Sequence, residues 1–429
     1  MDNTIAIYIL LGVFFGLLLL KVPITFSLGL SAVTTALYMH IPLMAIVQQT
    51  AKGISSFSLI TIPFFILAGE IMGQGGISTR LVNFSKVIVG RIRGGLAMVD
   101  VLACLFFGGL SGSSVADTTS IGSIMIPMME KEGYDKDFAV CVTISSATQG
   151  VLVPPSHNLI LYSLAAGGVS ISSLFLAGIL PGVFLGLSVM VFSYIIAVKR
   201  KYPVSDAIPF KQKIHMLKDG ILGLFTAVII MGGIMSGICT ATESAALATV
   251  YAFIITFFVY KDVPLSRMGD ILRKSLKTVS MVMGLIAASA AFGWMIAMVQ
   301  LPAIVTNSLI SITDNRILIF LLINAILLFL GCIMDMAPLI LIATPILLPV
   351  AIKFGMDPIQ FGIILMLNLG IGLLTPPVGS TLFVGCSIGN ISIEKVVKAL
   401  MPFYGVMLAV LLVLTFVPQI SLFIPNLLK

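Results

Sequence analysis

The chain carries one pattern of helix-breaking residues twice, at a constant separation of 222 residues. Each copy has a proline-containing apolar arm, a short turn with a glycine and an aspartate, and an apolar helix that is cut by a Pro-Pro pair. The matched positions are Pro127 and Pro349, Gly133 and Gly355, Asp135 and Asp357, Pro154 and Pro376, and Pro155 and Pro377. Unwound backbone inside hydrocarbon is costly unless it lines a cavity or binds a ligand. Paired helix breaks in two halves of a chain therefore indicate a binding site.

The composition places these helices in a membrane. Apolar residues make up 59% of the 429 residues and charged residues only 10%, whereas soluble domains carry about 25% charged residues. The apolar stretches suit helices that cross about 30 Å of hydrocarbon rather than the strands of a barrel. We therefore predict an all-α integral membrane protein. The net charge of +7 is attributed to basic loops and not to a nucleic-acid partner.

The repeat divides the chain into two halves around a basic, proline-containing linker. We predict a first repeat at 1–198, a cytoplasmic linker at 199–218 and a second repeat at 219–429. Each repeat begins with scaffold spans and a connecting helix and ends with a further span, the last one near 400–424. The predicted hairpins and broken helices lie at 94–131 and 137–167 in the first repeat, and at 315–353 and 357–389 in the second.

Loop charge predicts that the two repeats are inverted in the membrane. The first connector, near 78–92, carries Arg80, Lys86 and Arg91, whereas its counterpart near 301–313 carries no basic residue before Arg316. By the positive-inside rule, the first connector faces the cytoplasm and the second faces the opposite side. The first connector would then lie along the bilayer surface, near anionic lipid headgroups.

Two glycine-rich or proline-containing segments, 108–114 and 331–338, are predicted to turn the hairpins at mid-depth. Their tips would meet the two helix breaks, 150–158 and 370–380, near the membrane midplane. Such a junction offers free carbonyl groups to a cation and free N–H groups to an anion. We therefore predict two quasi-symmetric sites for sodium, which would serve as the coupling ion in two or more copies.

The candidate ligands at these junctions are hydroxyl, carboxylate and backbone oxygens. The predicted sodium ligands are Ser111, Gly112, Ser113, Thr148 and Gly150 around the first tip, and Met334, Asp335, Thr344, Thr375 and Ser380 around the second. The predicted substrate contacts are Ser111, Ser114, Asp117, Pro155, Ser156, Asn158, Asn368, Thr375, Pro377 and Gly379. Because no Lys or Arg lies in this predicted core, an anionic substrate would be held by helix N-termini and by the sodium ions.

Some residues leave alternatives open. Glu70 and Glu243 lie in apolar sequence, where they are either functional or brace the scaffold. His157 is more readily a structural residue than a proton relay. The segment 109–112 matches the GxSG motif of intramembrane serine proteases, with Ser111 as nucleophile and His157 as base, although a protease does not account for the repeat. An ion channel would share the broken helices but conduct without saturable exchange.

Four segments resemble signatures of the large membrane subunit of tripartite ATP-independent periplasmic (TRAP) transporters. They are IPFFILAG at 62–69, SGSSVAD at 111–117, TATESAA at 240–246 and TPPVG at 375–379. The third commonly has a proline where this chain has Ala241. The resemblance covers essentially the whole chain and favours the sialic-acid branch of the family.

This resemblance implies a sodium-driven importer of the elevator type in a bacterial inner membrane, without enzymatic activity. It also implies a small four-helix membrane subunit and a soluble periplasmic substrate-binding protein as partners. The expected substrate is a small organic acid anion, such as a sialic acid or a C4-dicarboxylate. In this mechanism the hairpins and broken helices form a mobile block, and the early spans of each repeat and the two connectors form the scaffold.

Overall fold

The computed structural model describes residues 3–204 and 208–427, where the regular elements are helices apart from one isolated bridge between Arg93 and Val204. The helices of the first half are α1 (Asn3–Leu19), α2 (Ile24–Tyr38), α3 (Leu43–Gly53), α4 (Thr61–Gln74), α5 (Ile77–Val89), α6 (Gly95–Ser111), α7 (Ser114–Ser120), α8 (Gly122–Lys131), α9 (Lys136–Ala147), α10 (His157–Ala165) and α11 (Ile171–Lys199). The helices of the second half are α12 (Phe210–Met235), α13 (Ala241–Ile254), α14 (Met268–Met298), α15 (Leu301–Ile312), α16 (Arg316–Ile333), α17 (Met336–Lys353), α18 (Pro358–Gly372), α19 (Ser380–Gly389), α20 (Ile393–Phe416) and α21 (Pro418–Leu427). Short 3-10 segments lie at Phe57–Ile60, Thr148–Val151 and Leu265–Arg267, and a π-helical segment lies at Ile255–Tyr260.

Eight helices in the described part of the chain are long and apolar enough to cross a membrane. They are Phe57–Gln74, Ile171–Lys199, Phe210–Met235, Ala241–Tyr260, Leu265–Met298, Arg316–Ile333, Met336–Lys353 and Ile393–Phe416. The shortest has 18 residues, close to the roughly 20 that cross the hydrocarbon layer. The prediction of an all-α integral membrane protein is confirmed.

Each half contains a hairpin followed by a broken helix, as the sequence predicts. In the first half, α6 reaches a tip at Gly112, α7 and α8 return from it, and α9 and α10 form the broken helix. In the second half, α16 and α17 form the hairpin, and α18 and α19 form the broken helix. The Pro154–Pro155 and Pro376–Pro377 peptide bonds, both cis, lie in the two breaks. The predicted hairpins and broken helices are thus confirmed.

Several element boundaries differ from the prediction. Helix α3 was not predicted, and it packs closely on α14, since a Cβ on Gly53 would lie 2.3 Å from the Ala290 Cβ. Helix α12 begins at Phe210, directly after Pro209, so the second half of the predicted linker is helical. The last predicted span ends early at Phe416, because the residue before Pro418 is biased away from helical geometry. A separate short helix, α21, follows it.

We divide the helices into an outer frame (α1–α5 and α12–α15) and an inner block (α6–α11 and α16–α21), which meet where α5 packs on α6 and α15 packs on α17. Within the frame, α4 packs on α13, α5 on α12, and α2 and α3 on α14. Within the block, the two repeats interlock: α10 packs on α17, and α19 packs on α7, α8 and α9. The second piece of each broken helix therefore lies against the hairpin of the other repeat.

Candidate functional site

The first hairpin tip turns at Gly112 and packs directly on the first helix break. Gly112 has φ +61°, and a Cβ there would lie 3.0 Å from the Ser156 Cα and 3.1 Å from the His157 nitrogen. A side chain would therefore clash and strain the backbone. Next to it, the Ser113 hydroxyl accepts a hydrogen bond from the Ala116 N–H at 3.4 Å and caps α7.

A buried carboxylate lies immediately behind this tip. Asp117 is fully buried and accepts a hydrogen bond from the Ser111 hydroxyl on its Oδ1 atom. Its Oδ2 atom has no hydrogen-bond partner among the described residues. A Cβ on Gly150 would lie 2.1 Å from this oxygen, and a Cβ on Gly108 would lie 2.9 Å from it. Two glycines thus leave room for this oxygen beside the tip.

The first helix break supplies further polar groups to the same place. The Asn158 Nδ2 donates to the Gly112 carbonyl at 3.1 Å and so ties α10 to the tip. Ser156 and Pro155 are buried, and the Ser156 hydroxyl has no partner among the described residues. The Thr148 hydroxyl donates to the Ile144 carbonyl at 3.3 Å. Most residues predicted for the first site are therefore brought together.

The two repeats meet at the start of α7. The Thr381 hydroxyl, in α19, donates to the Ser114 oxygen at 3.2 Å, and both residues are buried. The sequence analysis included Ser114 but missed Thr381. Its only sequence signal is its position four residues after Pro377, at the start of the returning helix.

The second tip and the second break are joined through their backbones. The Val378 N–H donates to the Cys332 carbonyl at 3.1 Å. Gly331 and Gly372 are in direct contact, since a Cβ on Gly372 would lie 2.6 Å from the Gly331 carbonyl carbon. The Thr375 hydroxyl, in the break, donates to the Ile371 carbonyl in the last turn of α18 at 2.9 Å.

The two junctions differ in exposure. Pro154 and Pro155 are buried, whereas Pro376 and Pro377 are exposed, together with Val378. The sequence analysis treated the two sites as quasi-symmetric. The structure encloses the first junction with α6, α7 and α9, and leaves the second open at its Pro-Pro pair.

The other residues predicted for the second site are distributed unevenly. Asp335 is exposed at the start of α17, and Met334 beside it is buried. Thr344 and Ser380 have hydroxyl oxygens that are enclosed and have no partner among the described residues. Gly379 is buried and has φ +22°, immediately before α19.

Asn368 lies inside the block, and its Oδ1 has no hydrogen-bond partner among the described residues. Its Nδ2 donates to the Asn324 Oδ1 at 2.8 Å, and the Asn324 amide in turn donates to the Thr415 hydroxyl at 3.0 Å. Asn368 is fully buried in α18. This network ties α16, α18 and α20 together, which gives Asn368 a structural role in this conformation.

A cavity of about 650 Å³ separates the first tip from the outer frame. Ser111, Ser113 and His157 line its block side, and Glu70 and Lys274 line its frame side. The Lys274 ammonium lies 3.8 Å from a Glu70 carboxylate oxygen. Sequence reasoning placed no cation in the core, because Lys274 belongs to a basic cluster next to a predicted membrane boundary. Helix α14 packs on α4, and Lys274 lines the cavity beside Glu70.

Glu243 has a local role as a helix cap. The Glu243 carboxylate accepts from the Thr240 N–H at 2.7 Å and from the Thr240 hydroxyl at 2.9 Å. This is a capping box at the start of α13, which the Thr-x-x-Glu spacing indicates.

The Ser111 hydroxyl donates hydrogen bonds to Asp117 and to the Ser113 carbonyl and accepts one from the Ser113 N–H. It is therefore not paired with His157 as a protease dyad requires.

This architecture defines a class of protein. A multi-pass helical membrane protein with two broken helices and a polar cavity between a frame and a block is organised as a secondary transporter.

Comparison with known proteins identifies the family. Residues 11–420 match the family model described as tripartite ATP-independent periplasmic transporter, DctM component. A Salmonella typhimurium relative, the uncharacterized protein YgiK, is 43% identical and covers 98% of this chain and 97% of its own length. The sialic acid TRAP transporter large permease protein SiaM of Vibrio cholerae is 38% identical over 96% of each chain. The chain belongs to this family of TRAP large membrane subunits, and it is a multi-pass protein of the inner membrane.

A solved structure shares the fold. The Alcanivorax borkumensis YdaH transporter, described as having an unusual topology, aligns with a TM-score of 0.63 over 90% of this chain and 89% of that chain. The sequence identity is 14%, so this likeness concerns the fold alone.

Proposed function

We propose that the chain is the translocating subunit of a sodium-coupled importer of a small organic acid anion. The observation that carries this proposal is the first junction, where a hairpin tip, a helix break and a buried carboxylate meet beside a cavity. The sodium ions would enter as coupling ions, two or more per cycle. Net inward positive charge is favoured by an inside-negative potential, at about 2.3 kcal/mol per charge per 100 mV.

The unpartnered oxygens at the junctions fit sodium. The Asp117 Oδ2 and the Ser156 hydroxyl are both enclosed and lack donors among the described residues. A buried oxygen without a partner costs about 1–3 kcal/mol, and a bound cation removes that cost. The second junction offers the Ser380 hydroxyl and the exposed carbonyl groups near Pro376. Asp117, Ser156, Thr375 and Ser380 are thus the groups that we assign to cation binding.

Movement of the block against the frame would carry the site across the membrane. The interlocked packing of α10 on α17 and of α19 on α7 favours rigid-body motion of the whole block. The substrate would arrive from a periplasmic substrate-binding protein, and a small four-helix membrane subunit would assemble with the frame. The family supports both partners, and the name of the SiaM relative supports a sialic acid or similar organic acid as substrate.

We assign no enzymatic activity to the chain. In a protease, Ser111 would need His157 as its base, and the Ser111 hydroxyl instead donates to Asp117. Fluorophosphonate labelling that is lost in Ser111→Ala would support a protease and contradict this assignment.

The test is uptake by the full chain in proteoliposomes with candidate small subunits and binding proteins. We expect accumulation of one or more organic acids under an inward sodium gradient, and loss of that uptake when potassium replaces sodium. Uptake that is indifferent to sodium would contradict the coupling. Full-rate uptake of free substrate by this chain alone would contradict dependence on a binding protein.

The same vesicles distinguish a transporter from a channel. A transporter exchanges labelled external substrate for unlabelled internal substrate, whereas a channel conducts without saturable exchange. We expect counterflow, and its absence alongside a steady ion conductance would favour the channel.

A further inference from the structure

We propose that Lys274 receives the acidic group of the substrate in the cavity between frame and block, and that it selects a polyhydroxylated monoanion over a dicarboxylate. This inference rests on the proposed function, because it specifies the substrate of the same site. It assigns a cationic contact to a site whose predicted core contains none.

The first step is that Lys274 is held loosely and can change partner. Its ammonium lies 3.8 Å from Glu70, and 65% of its side chain is exposed. Glu70 already accepts a hydrogen bond from the Gln74 amide at 2.6 Å. An incoming carboxylate could therefore take the ammonium from Glu70 while the Gln74 bond to Glu70 stays in place. Gln74 thus keeps Glu70 oriented in both states.

The second step concerns the rest of the cavity wall. Lys274 is the one Lys or Arg among the described residues that line this cavity. Most of the other polar groups there are hydroxyls, with Ser111 and Ser113 at the tip, Ser120 on α7 and Thr278 on α14. Hydroxyl groups both donate and accept hydrogen bonds, so they suit the hydroxyls of a sugar-like acid. The volume of about 650 Å³ falls within the range of small-molecule sites.

The charge of Lys274 matches a ligand with a single acidic group. One ammonium can neutralise one carboxylate or sulfonate. A second acidic group on the ligand would lie in a cavity whose other charged wall residue is Glu70. Like charges repel at close range. The cavity therefore favours a ligand with one negative charge and several hydroxyls.

Ligand protection of a single cysteine tests this inference without knowledge of the binding protein. Thr278→Cys places a thiol in the cavity wall, one helical turn from Lys274. A maleimide would label it in the purified full chain, and peptide mass spectrometry would quantify that one site apart from the five native cysteines. The probes are N-acetylneuraminate, D-glucuronate and D-gluconate as hydroxylated monoanions, and succinate as the dicarboxylate.

We expect at least one monoanion to protect the thiol at a concentration at least tenfold below that of succinate. Lys274→Gln should raise the half-protecting concentration roughly tenfold, which is typical of a lost charged hydrogen bond. Lys277→Gln, on the same helix but outside the cavity, is the matched control and should leave it unchanged.

The Glu70→Gln variant distinguishes a role of Lys274 in ligand binding from a role of the Lys274–Glu70 ion pair in the fold. Removal of the competing carboxylate should lower the half-protecting concentration about threefold or more. If Glu70→Gln and Lys274→Gln both weaken protection, the pair supports the fold and the inference fails. Equal protection by succinate, or no protection by any probe, would also overturn it.

Failure of this inference can be told apart from failure of the proposed function. Protection is measured with and without sodium, and the Lys274 effect is read at constant sodium. Protection by monoanions that is lost in Lys274→Gln but indifferent to sodium upholds the inference and contradicts sodium coupling.

Discussion

At the scale of single residues, the site depends on small polar groups that glycine leaves accessible. Asp117 keeps one oxygen free because Gly108 and Gly150 provide no side chains near it. The tip and the break are then held by one amide, Asn158 to the Gly112 carbonyl. None of these contacts needs a Lys or Arg, and Lys274 lies across the cavity on the frame.

The hydroxyls at the two junctions should contribute to sodium affinity. We predict that Ser156→Ala and Thr375→Ala each raise the sodium concentration for half-maximal uptake about fivefold, because each removes an oxygen ligand worth about 1 kcal/mol. Sodium titration of uptake measures this. Unchanged sodium dependence in both variants would remove these residues from the sites.

At the scale of elements, glycines set how closely the broken helix approaches the hairpin. Gly150 lies in the 3-10 segment Thr148–Val151, with the Gly108 Cα of α6 3.0 Å from the position of its missing Cβ. The Gly108 backbone cannot move away from an added Cβ on Gly150 as a flexible side chain would.

Gly150→Ala should therefore disrupt the first junction. We predict that it lowers the free energy of unfolding by about 1–3 kcal/mol, the usual cost of overpacking, and abolishes uptake. Gly405→Ala is the control, because a Cβ there would have no atom within 4 Å. Thermal unfolding and uptake are measured together, and wild-type behaviour of Gly150→Ala would show that the junction is looser than described.

The sequence predicted the elements better than their contacts. Apolar length and doubled prolines placed both hairpins and both broken helices, because these features act locally. Helix α3, which begins after Pro42, and the end of α20 before Pro418 were not predicted, because apolar length does not resolve helix ends that a single proline sets. The first tip and the first break lie together, as predicted. The hydrogen-bond partners of Asn368, the exposure of Asp335 and the position of Lys274 at the cavity could not be predicted, because the surroundings of a side chain depend on the packing of distant helices.

At the scale of the whole molecule, the proposed mechanism requires the inner block to move relative to the outer frame. The frame helix α4 faces α7 of the block, where a Cβ on Gly73 would lie 3.6 Å from the Ser120 hydroxyl oxygen. Within the frame, the hydroxyls of Thr61 and Thr242 lie 2.6 Å apart. A cross-link between the inner block and the outer frame can therefore be compared with a cross-link within the frame.

A disulfide across the boundary should stop transport. We predict that oxidation of the Gly73→Cys and Ser120→Cys pair blocks uptake and that a reductant restores it. Both pairs place their side chains in direct contact, as a disulfide requires. The Thr61→Cys and Thr242→Cys pair should cross-link without loss of uptake. Full uptake by the oxidised first pair would contradict movement of the block.

The claim on which both sites depend is that the two repeats lie in the membrane in opposite orientations. Arg91 and Asp314 are both exposed, each in the loop between a connector and its hairpin. Arg91→Cys and Asp314→Cys can be labelled with a membrane-impermeant thiol reagent in intact cells and in inverted vesicles, with the unsubstituted chain as background. We predict labelling of Arg91→Cys only from the cytoplasmic side and of Asp314→Cys only from the periplasmic side. Labelling of both from the same side would contradict the account.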